Sequence, residues 1–405
     1  MITRRADYTF KYNRRMGRHG WLRLTPAYSV KLVREIIAQL HQESHILDPF
    51  SGTATTGIVA GEYGHPSSLF DVNPFLVWLG NVKLQTLTCE QATALRGAVR
   101  EVTAYAQRVP EDDFRYPQIS NIERWWDSQT LENLAKLRAS LSALIHEPQE
   151  SSYYAPLWVA FARVAIEHSA AAFNHVSLSF HRATKTHSLH QILFSFASYA
   201  ESFIDDALAP LDSDSRVYLR DSSEPLPPGF SFDAIVTSPP YPNRISYIRE
   251  LRPYMFWLGF LTEPREAGEL DWQAIGGTWG IATSRLTKWL PSHDCQMPTL
   301  APIVRNIRES GGPNCELLSV YVSKYFHDID RHIASIKTAL NDNSEIHYVI
   351  GNSTFYGVHV PTPELYMESL RSRGFVKVNS RPLRKRNSKR ELFEYCVSAR
   401  LARQS

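Results

Sequence analysis

The chain has 405 residues, 43% of them hydrophobic and 21% charged, which excludes a disordered or fibrous polymer. That length suits two or three domains, or one domain with large insertions. With 44 Lys+Arg against 41 Asp+Glu the net charge is only +3, so a uniformly basic nucleic-acid coat is excluded while a local basic face is not.

Residues 1–25 carry Arg4, Arg5, Lys11, Arg14, Arg15, Arg18 and Arg23 against the single acid Asp7. Residues 28–40 have apolar side chains at helical spacing after Pro26, which predicts a helix. The run HILD (45–48) predicts a strand leaving into a loop, and 52–57 is a small-residue loop followed by a helix to about residue 62. The next strand is expected over 67–70, ending at Asp71. This succession of strand, glycine loop, helix, strand and acid suits a nucleotide-type cofactor. The loop lets backbone approach the ligand, and the acid can bind a ribose diol.

Residues 86–210 are predicted to be mostly helical, with Trp125 and Trp126 as packing residues rather than a ligand platform. Within them 174–187 reads as a polar, basic loop. Strands are expected at 216–219 and at 232–237, the latter running into Ser238-Pro239-Pro240-Tyr241. The stretch 245–313 mixes Trp, Gly and Pro and predicts irregular structure. A long amphipathic helix is expected over 317–340, a strand at 346–350, a helix at 361–373, and strands at 375–380 and 390–401. Residues 371–390 carry nine Lys and Arg and no acid. Both basic segments suit either solvated tails or phosphate contacts, and composition alone does not choose between them.

The alternation argues an α/β fold, a Rossmann-like doubly wound sheet, with 1–85 and 213–405 forming one domain. Residues 86–212 are then a helical insertion, and 245–313 an irregular one. Cys89, Cys295, Cys315 and Cys396 are dispersed with no CxxC pair, against a disulfide scaffold or a structural zinc site. No apolar run approaches ~18 residues and no signal-peptide core is present, so a soluble cytoplasmic protein without membrane or metal is expected.

Two motifs carry chemistry: DPFSGTATTG (48–57) and TSPPY (237–241). Together they resemble the cofactor and catalytic motifs of the amino-group DNA methyltransferases that use S-adenosylmethionine, and the Ser form of the second resembles the N4-cytosine branch. Ala54 stands where the family's second glycine falls. Residues 25–40 resemble the segment over the methionine end of the cofactor. Asp71-Val72-Asn73-Pro74 resembles the ribose-binding acid and its Asn-Pro. Arg220-Asp221-Ser222 resembles the motif near the adenine, and Gly351-Asn352-Ser353 a late-strand motif. The resemblance implies that Tyr28, Asp48, Pro49, Phe50, Ser51, Gly52, Thr53, Thr55, Thr56, Asp71, Val72, Asn73, Asp221 and Ser222 bind S-adenosylmethionine. It implies that 1–85 and 213–405 form the catalytic domain, that Ser238, Pro239, Pro240 and Tyr241 are catalytic, and that 86–212 and 245–313 are candidate DNA-recognition regions.

The residue types suit the reaction. An exocyclic amine is a poor nucleophile because its lone pair is delocalised into the ring. The Ser238 hydroxyl and the Pro239 carbonyl can accept its N–H groups, and the prolines stiffen the turn. Tyr241 offers a flat face for an extruded base, since a base inside a duplex must be flipped out. Cytosine-C5 chemistry needs a cysteine, usually after proline, and no Pro-Cys dipeptide exists. The expected partner is double-stranded DNA, with contacts from Arg14, Arg15, Arg18, His181, Arg182, Lys185, Arg244, Arg384, Lys385 and Arg386. No nuclease motif is evident, so any restriction endonuclease would be a separate chain. The alternatives are N6-adenine methylation on the same scaffold, an RNA base methyltransferase, and a non-catalytic binding module.

Overall fold

Of the 405 residues, the computed structural model describes 5–24, 27–172, 179–181, 183–278, 280–386 and 391–402. The single-turn helix α1 (Phe10–Asn13) ends on a buried asparagine. The Asn13 side chain donates to the Tyr28 carbonyl at 2.9 Å and accepts the Val30 amide at 3.0 Å, which pins the start of α2 (Val30–Ile37). Helix α2 buries Val30, Leu32, Val33, Ile36 and Ile37, the stripe its period places on one face. Strand β1 (Ile46–Asp48), helix α3 (Thr55–Glu62) and strand β2 (Ser67–Asp71) follow as expected. Asn73 then caps α4 (Pro74–Leu84) by accepting the Phe75 amide at 3.0 Å, and Pro74 occupies the first turn, where its missing N–H is harmless.

The insertion holds α5 (Cys89–Tyr105), α6 (Ser128–Ile145), α7 (Ala155–Glu167) and α8 (Leu189–Leu208). Two-residue strands β3 (Ala171–Ala172) and β4 (Ser179–Phe180) pair between α7 and α8, β3 at the end of a run expected to be helical and β4 within the loop expected over 174–187. Capping boxes Thr88–Gln91 and Ser188–Gln191 start α5 and α8. The chain returns to the sheet through β5 (Ser215–Leu219) and β6 (Phe232–Thr237).

The expectation of irregular structure over 245–313 is corrected. That stretch contains α9 (Tyr247–Trp257), α10 (Pro264–Gln273), α11 (Ile281–Leu286) and α12 (Leu300–Arg308). The residues read as breakers act mainly as boundaries: Pro264 opens α10 and Gly280 precedes α11. The remaining elements are α13 (Cys315–Lys337), β7 (Leu340–Gly351), the hairpin β8 (Ser353–Phe355) and β9 (Val358–Val360), α14 (Thr362–Ser372), β10 (Phe375–Lys385) and β11 (Phe393–Leu401). The hairpin β8–β9 has no counterpart in the sequence reading, and β7 and β10 run longer than expected.

Among the described residues the main sheet has seven strands in the order β10-β11-β7-β6-β1-β2-β5. The pairs β1–β2, β1–β6, β2–β5 and β6–β7 are parallel, while β11 runs antiparallel to both β7 and β10. From β1 the chain builds outward through β2 and β5, and from β6 it builds the other way through β7. The order therefore reverses between β1 and β6, the place where open α/β sheets bind ligands at their carboxyl ends. One face packs Ile46, Ala234, Val236 and Val349 under α2 and α3. The other packs Leu47, Ile235, Ile346 and Tyr348 under α13 and α14. Both faces are covered, and the two central strands β1 and β6 bury Ile46, Leu47, Ala234, Ile235 and Val236 between them.

The insertion is not a separate body. Trp125, Trp126 and Phe161 share one core with Phe75 of α4 and with Tyr254 and Trp257 of α9. Trp257 meets Trp126 and Phe161 edge-on, at centroid separations of 5.6 and 5.5 Å. Trp257→Ala is expected to cost about 3–5 kcal/mol. Chemical denaturation followed by fluorescence and by far-UV circular dichroism should show both transitions moving together. Separate transitions would contradict the shared core.

Candidate active site

The site is assembled around a buried carboxyl. Asp48 ends β1 and is wholly inaccessible. It accepts the Thr56 hydroxyl at 2.6 Å from α3, the Thr237 hydroxyl at 2.6 Å from the end of β6, and the Phe50 amide at 3.1 Å. Burial raises Asp48 to about 6, against the opposing hydrogen bonds from Thr237, Thr56 and the Phe50 amide. The Thr56 hydroxyl also reaches the Val236 carbonyl at 3.1 Å, and the Tyr28 hydroxyl pairs with it from the α2 side. Asp48, Thr56 and Tyr28 thus brace the two strands at the reversal point.

Above this brace the loop 49–54 turns over the end of β2. Gly52 has φ +51° and Ala54 φ +58°, both left-handed, the region where glycine is favoured. Ala54 is fully buried, and a Cβ at Gly80 would come within 3.3 Å of its methyl group. Asp71 lies at the tip of β2, half-buried. One of its oxygens accepts the Gly52 amide and the other the Asn73 amide, each at 2.9 Å. Each carboxylate oxygen keeps capacity for a further donor, such as a ribose hydroxyl. Burial pushes Asp71 up to about 7, opposed by the Asn73 and Gly52 amides. The Ser51 hydroxyl is buried with no partner among the described residues. An orphaned hydroxyl beside a left-handed loop and an acid with spare acceptor capacity fits a polar ligand such as S-adenosylmethionine.

Beside Thr53 opens a cavity of about 150 Å³ whose lining includes Asn13, Arg14, Arg23 and Arg163, with no acid among its described lining residues. It can receive an anionic group such as a carboxylate. Across the sheet, Phe50 packs 4.7 Å from the His332 ring, and burial pushes that imidazole down to about 4. His332 faces the Ser222 carbonyl at 3.2 Å and the Tyr348 hydroxyl at 2.8 Å. Asp221 folds onto its own turn, accepting the Ser223 amide at 2.8 Å and hydroxyl at 2.7 Å. Thr53 and Val72 are half-buried at the loop and strand tips, whereas Pro49 and Thr55 are buried. Asn73 is buried and serves as the α4 cap, so its side chain is turned into the fold.

The catalytic candidates follow β6 directly. The Ser238 hydroxyl donates to the Val349 carbonyl at 3.0 Å, which leaves its oxygen able to accept an amine N–H. The Pro240 carbonyl is taken by the Tyr325 hydroxyl at 2.7 Å. Among the described residues no donor reaches the carbonyl of Pro239, which is the one the sequence reading assigned to the amine. The Tyr241 amide approaches the Tyr247 hydroxyl at 3.4 Å. Burial drives the Tyr241 phenol well above its ordinary value, so it is neutral.

The nucleic-acid candidates divide. Arg14, Arg15, Arg244, His181 and Lys185 are exposed, and Lys385 is half-buried. His181 and Lys185 lie between β3 and α8, and Arg182 lies outside the described residues. Arg18 is corrected: it is 5% exposed, and its guanidinium donates to the carbonyls of Lys83, Asp206 and Ala207, each at 3.1 Å. It ties the N-terminal segment to α4 and α8 and offers nothing to a phosphate. Arg384 is likewise engaged internally, bidentate to the buried Glu394 with Nε–Oε2 at 2.7 Å. Arg386 donates to the Asn352 carbonyl at 2.9 Å.

Several contributing residues gave no signal in the sequence. Tyr325, on α13, lies 85 positions from the carbonyl it holds. Glu394 is one acid in an ordinary strand pattern. Lys83 sits on an apolar helix, yet its ammonium donates at 2.6 Å to the carbonyl of Thr53 in the loop 49–54.

No known protein-family model matches the chain, and no curated protein matches it. Among the described residues no helix is long and apolar enough to cross a membrane, and no group of three or more His, Cys, Asp or Glu could hold a metal.

Burial holds Lys83 at about 7, down from 10.5. Between those values the native state binds fewer protons than the unfolded chain, so unfolding free energy rises with pH across that window. Asp71 acts in the opposite sense but only below about 7. Lys83→Met is expected to flatten the rise, as measured by chemical denaturation near the two ends of the window. An unchanged slope would mean that Lys83 is not the group responsible.

Proposed function

We propose that the chain is an S-adenosylmethionine-dependent methyltransferase. Within that class, we read it as a DNA enzyme that methylates the exocyclic N4 amine of a flipped cytosine. One observation carries this reading. Asp48, Asp71 and Ser238–Tyr241 stand at the carboxyl ends of β1, β2 and β6, on either side of the sheet's reversal point. The acid that suits a ribose and the turn that suits an amine therefore share one edge, separated in sequence by the whole insertion.

When bound, S-adenosylmethionine supplies a methyl group already activated by its sulfonium. The chain's residues hold and orient. Asp71 and the left-handed loop 52–54 suit the nucleoside end, and the arginine-lined cavity beside Thr53 suits the carboxylate end. Ser238 accepts one N–H of the target amine while its own hydroxyl keeps donating to the Val349 carbonyl. The Pro239 carbonyl, which no donor reaches among the described residues, accepts the second. Holding both N–H groups favours a pyramidal nitrogen whose lone pair points at the methyl donor, and such positioning accounts for most of the acceleration.

Methylation of plasmid DNA followed by nucleoside mass spectrometry tests the reading, and N4-methylcytosine is the expected product. N6-methyladenine would move the assignment to adenine, and no methylated nucleoside would overturn it. Ser238→Ala is expected to slow transfer by about two to three orders of magnitude while leaving affinity for the methyl donor intact. Asp71→Ala is expected to weaken that affinity by at least about tenfold, the effect of losing one charge-assisted hydrogen bond, as read by calorimetry. Unchanged affinity would remove Asp71 from the ribose role.

A further inference from the structure

The ring of Tyr241 lies directly on Gly351, the last residue of β7. A Cβ at 351 would stand 2.8 Å from Tyr241 Cδ2, 2.9 Å from Cε2 and 2.9 Å from Arg386 Nη1. A Cβ does not pack that closely, so the glycine makes room for both side chains. The Arg386 Cζ is 5.3 Å from the Tyr241 ring centroid, within cation–π range.

Arg386 is itself held. Its Nη1 donates to the Asn352 carbonyl at 2.9 Å and its amide to the Leu392 carbonyl at 2.8 Å. Asn352 in turn braces β11: its side-chain oxygen accepts the Phe393 amide at 2.8 Å, and its Nδ2 donates to the Glu391 carbonyl at 3.1 Å. The next element of this packing is Glu394, opposite Gly351 in the β7–β11 register and paired with Arg384. Two arginines of the basic hairpin are thus directed inward, Arg386 onto the Tyr241 ring and Arg384 onto Glu394.

We propose that Arg386 is a positioning residue for Tyr241 and not a phosphate contact. The inference rests on the reading above, in which Tyr241 lines the pocket of an extruded base. The guanidinium covers one face of the ring and fixes its plane against Gly351, so a base meets the opposite face without rearranging it. The hairpin β10–β11 thereby becomes part of the base pocket, which makes Gly351 and Arg386 determinants of its shape.

The test uses the full chain carrying 3-fluorotyrosine at position 241 alone, together with Arg386→Met, Arg386→Lys and Gly351→Ala. The fluorine resonance reports the ring's surroundings in the absence of DNA and methyl donor. Arg386→Met and Gly351→Ala are expected to shift it, and Arg386→Lys, which keeps the charge but not the plane, to shift it less. Arg386→Met is expected to lower kcat by about tenfold, with KM for the methyl donor unchanged. Arg386→Lys should recover part of that loss. The slope of log affinity against log salt for DNA is expected to stay at the wild-type value, because losing a phosphate contact would reduce it by about 1. A resonance unmoved by Arg386→Met, or a reduced salt slope with unchanged kcat, would overturn the proposal. If the wild-type protein transfers no methyl group to DNA, the functional reading fails while the resonance still decides whether Arg386 sets the ring.

Discussion

Everything at the carboxyl edge of the sheet depends on one buried carboxyl. Asp48 receives two hydroxyls and an amide, from α3, from the end of β6 and from its own loop. A carboxyl out of contact with water is costly unless hydrogen-bonded, so the surrounding groups are constrained to meet it. Thr56 fixes where α3 begins relative to β1, and Thr237 fixes where β6 ends. The loop 49–54 lies between the first pair, and Ser238 is the residue after the second. One set of hydrogen bonds therefore sets the spacing between the loop that suits the methyl donor and the turn that suits its acceptor.

The arginines show how poorly charge reports location. Arg18 and Arg384 belong to the two basic segments, yet each serves the interior: Arg18 satisfies carbonyls at the ends of α4 and α8, and Arg384 balances Glu394. Arg386 closes a hairpin and covers an aromatic ring. Conversely, Arg163 lies inside the helical insertion and still lines the cavity beside Thr53. Guanidinium is planar, always charged and rich in donors, so it serves equally well in buried bracing and at a surface. Composition cannot separate these uses, because it records the group and not its acceptors.

Two other features join parts of the chain that are remote in sequence. The Tyr325 hydroxyl on α13 occupies the Pro240 carbonyl, whereas among the described residues no donor reaches that of Pro239. Lys83, on the helix after β2, reaches back to the Thr53 carbonyl and tethers the loop 49–54. Neither residue belongs to a motif, and both shape what the motifs present.

The sequence alone determined the local elements whose cause is local. Helical spacing over 28–40, apolar runs ending in Asp48, Asp71 and Thr237, and the glycine loop between them each read directly from side-chain period and turn chemistry. The motif residues were legible for the same reason, since small residues and prolines announce backbone geometry. What only the tertiary structure decided is which side chains face one another. The helices within 245–313 were hidden because Gly and Pro at their boundaries mimic irregular chain. The insertion's union with α4 and α9 comes from aromatic packing between segments that carry no mutual signal. The inward turn of Arg18, Arg384 and Arg386 depends on carbonyls, a carboxylate and a ring brought near by the fold. Periodicity encodes which face of an element is apolar, but the partner of a buried charge is fixed only when the chain closes around it.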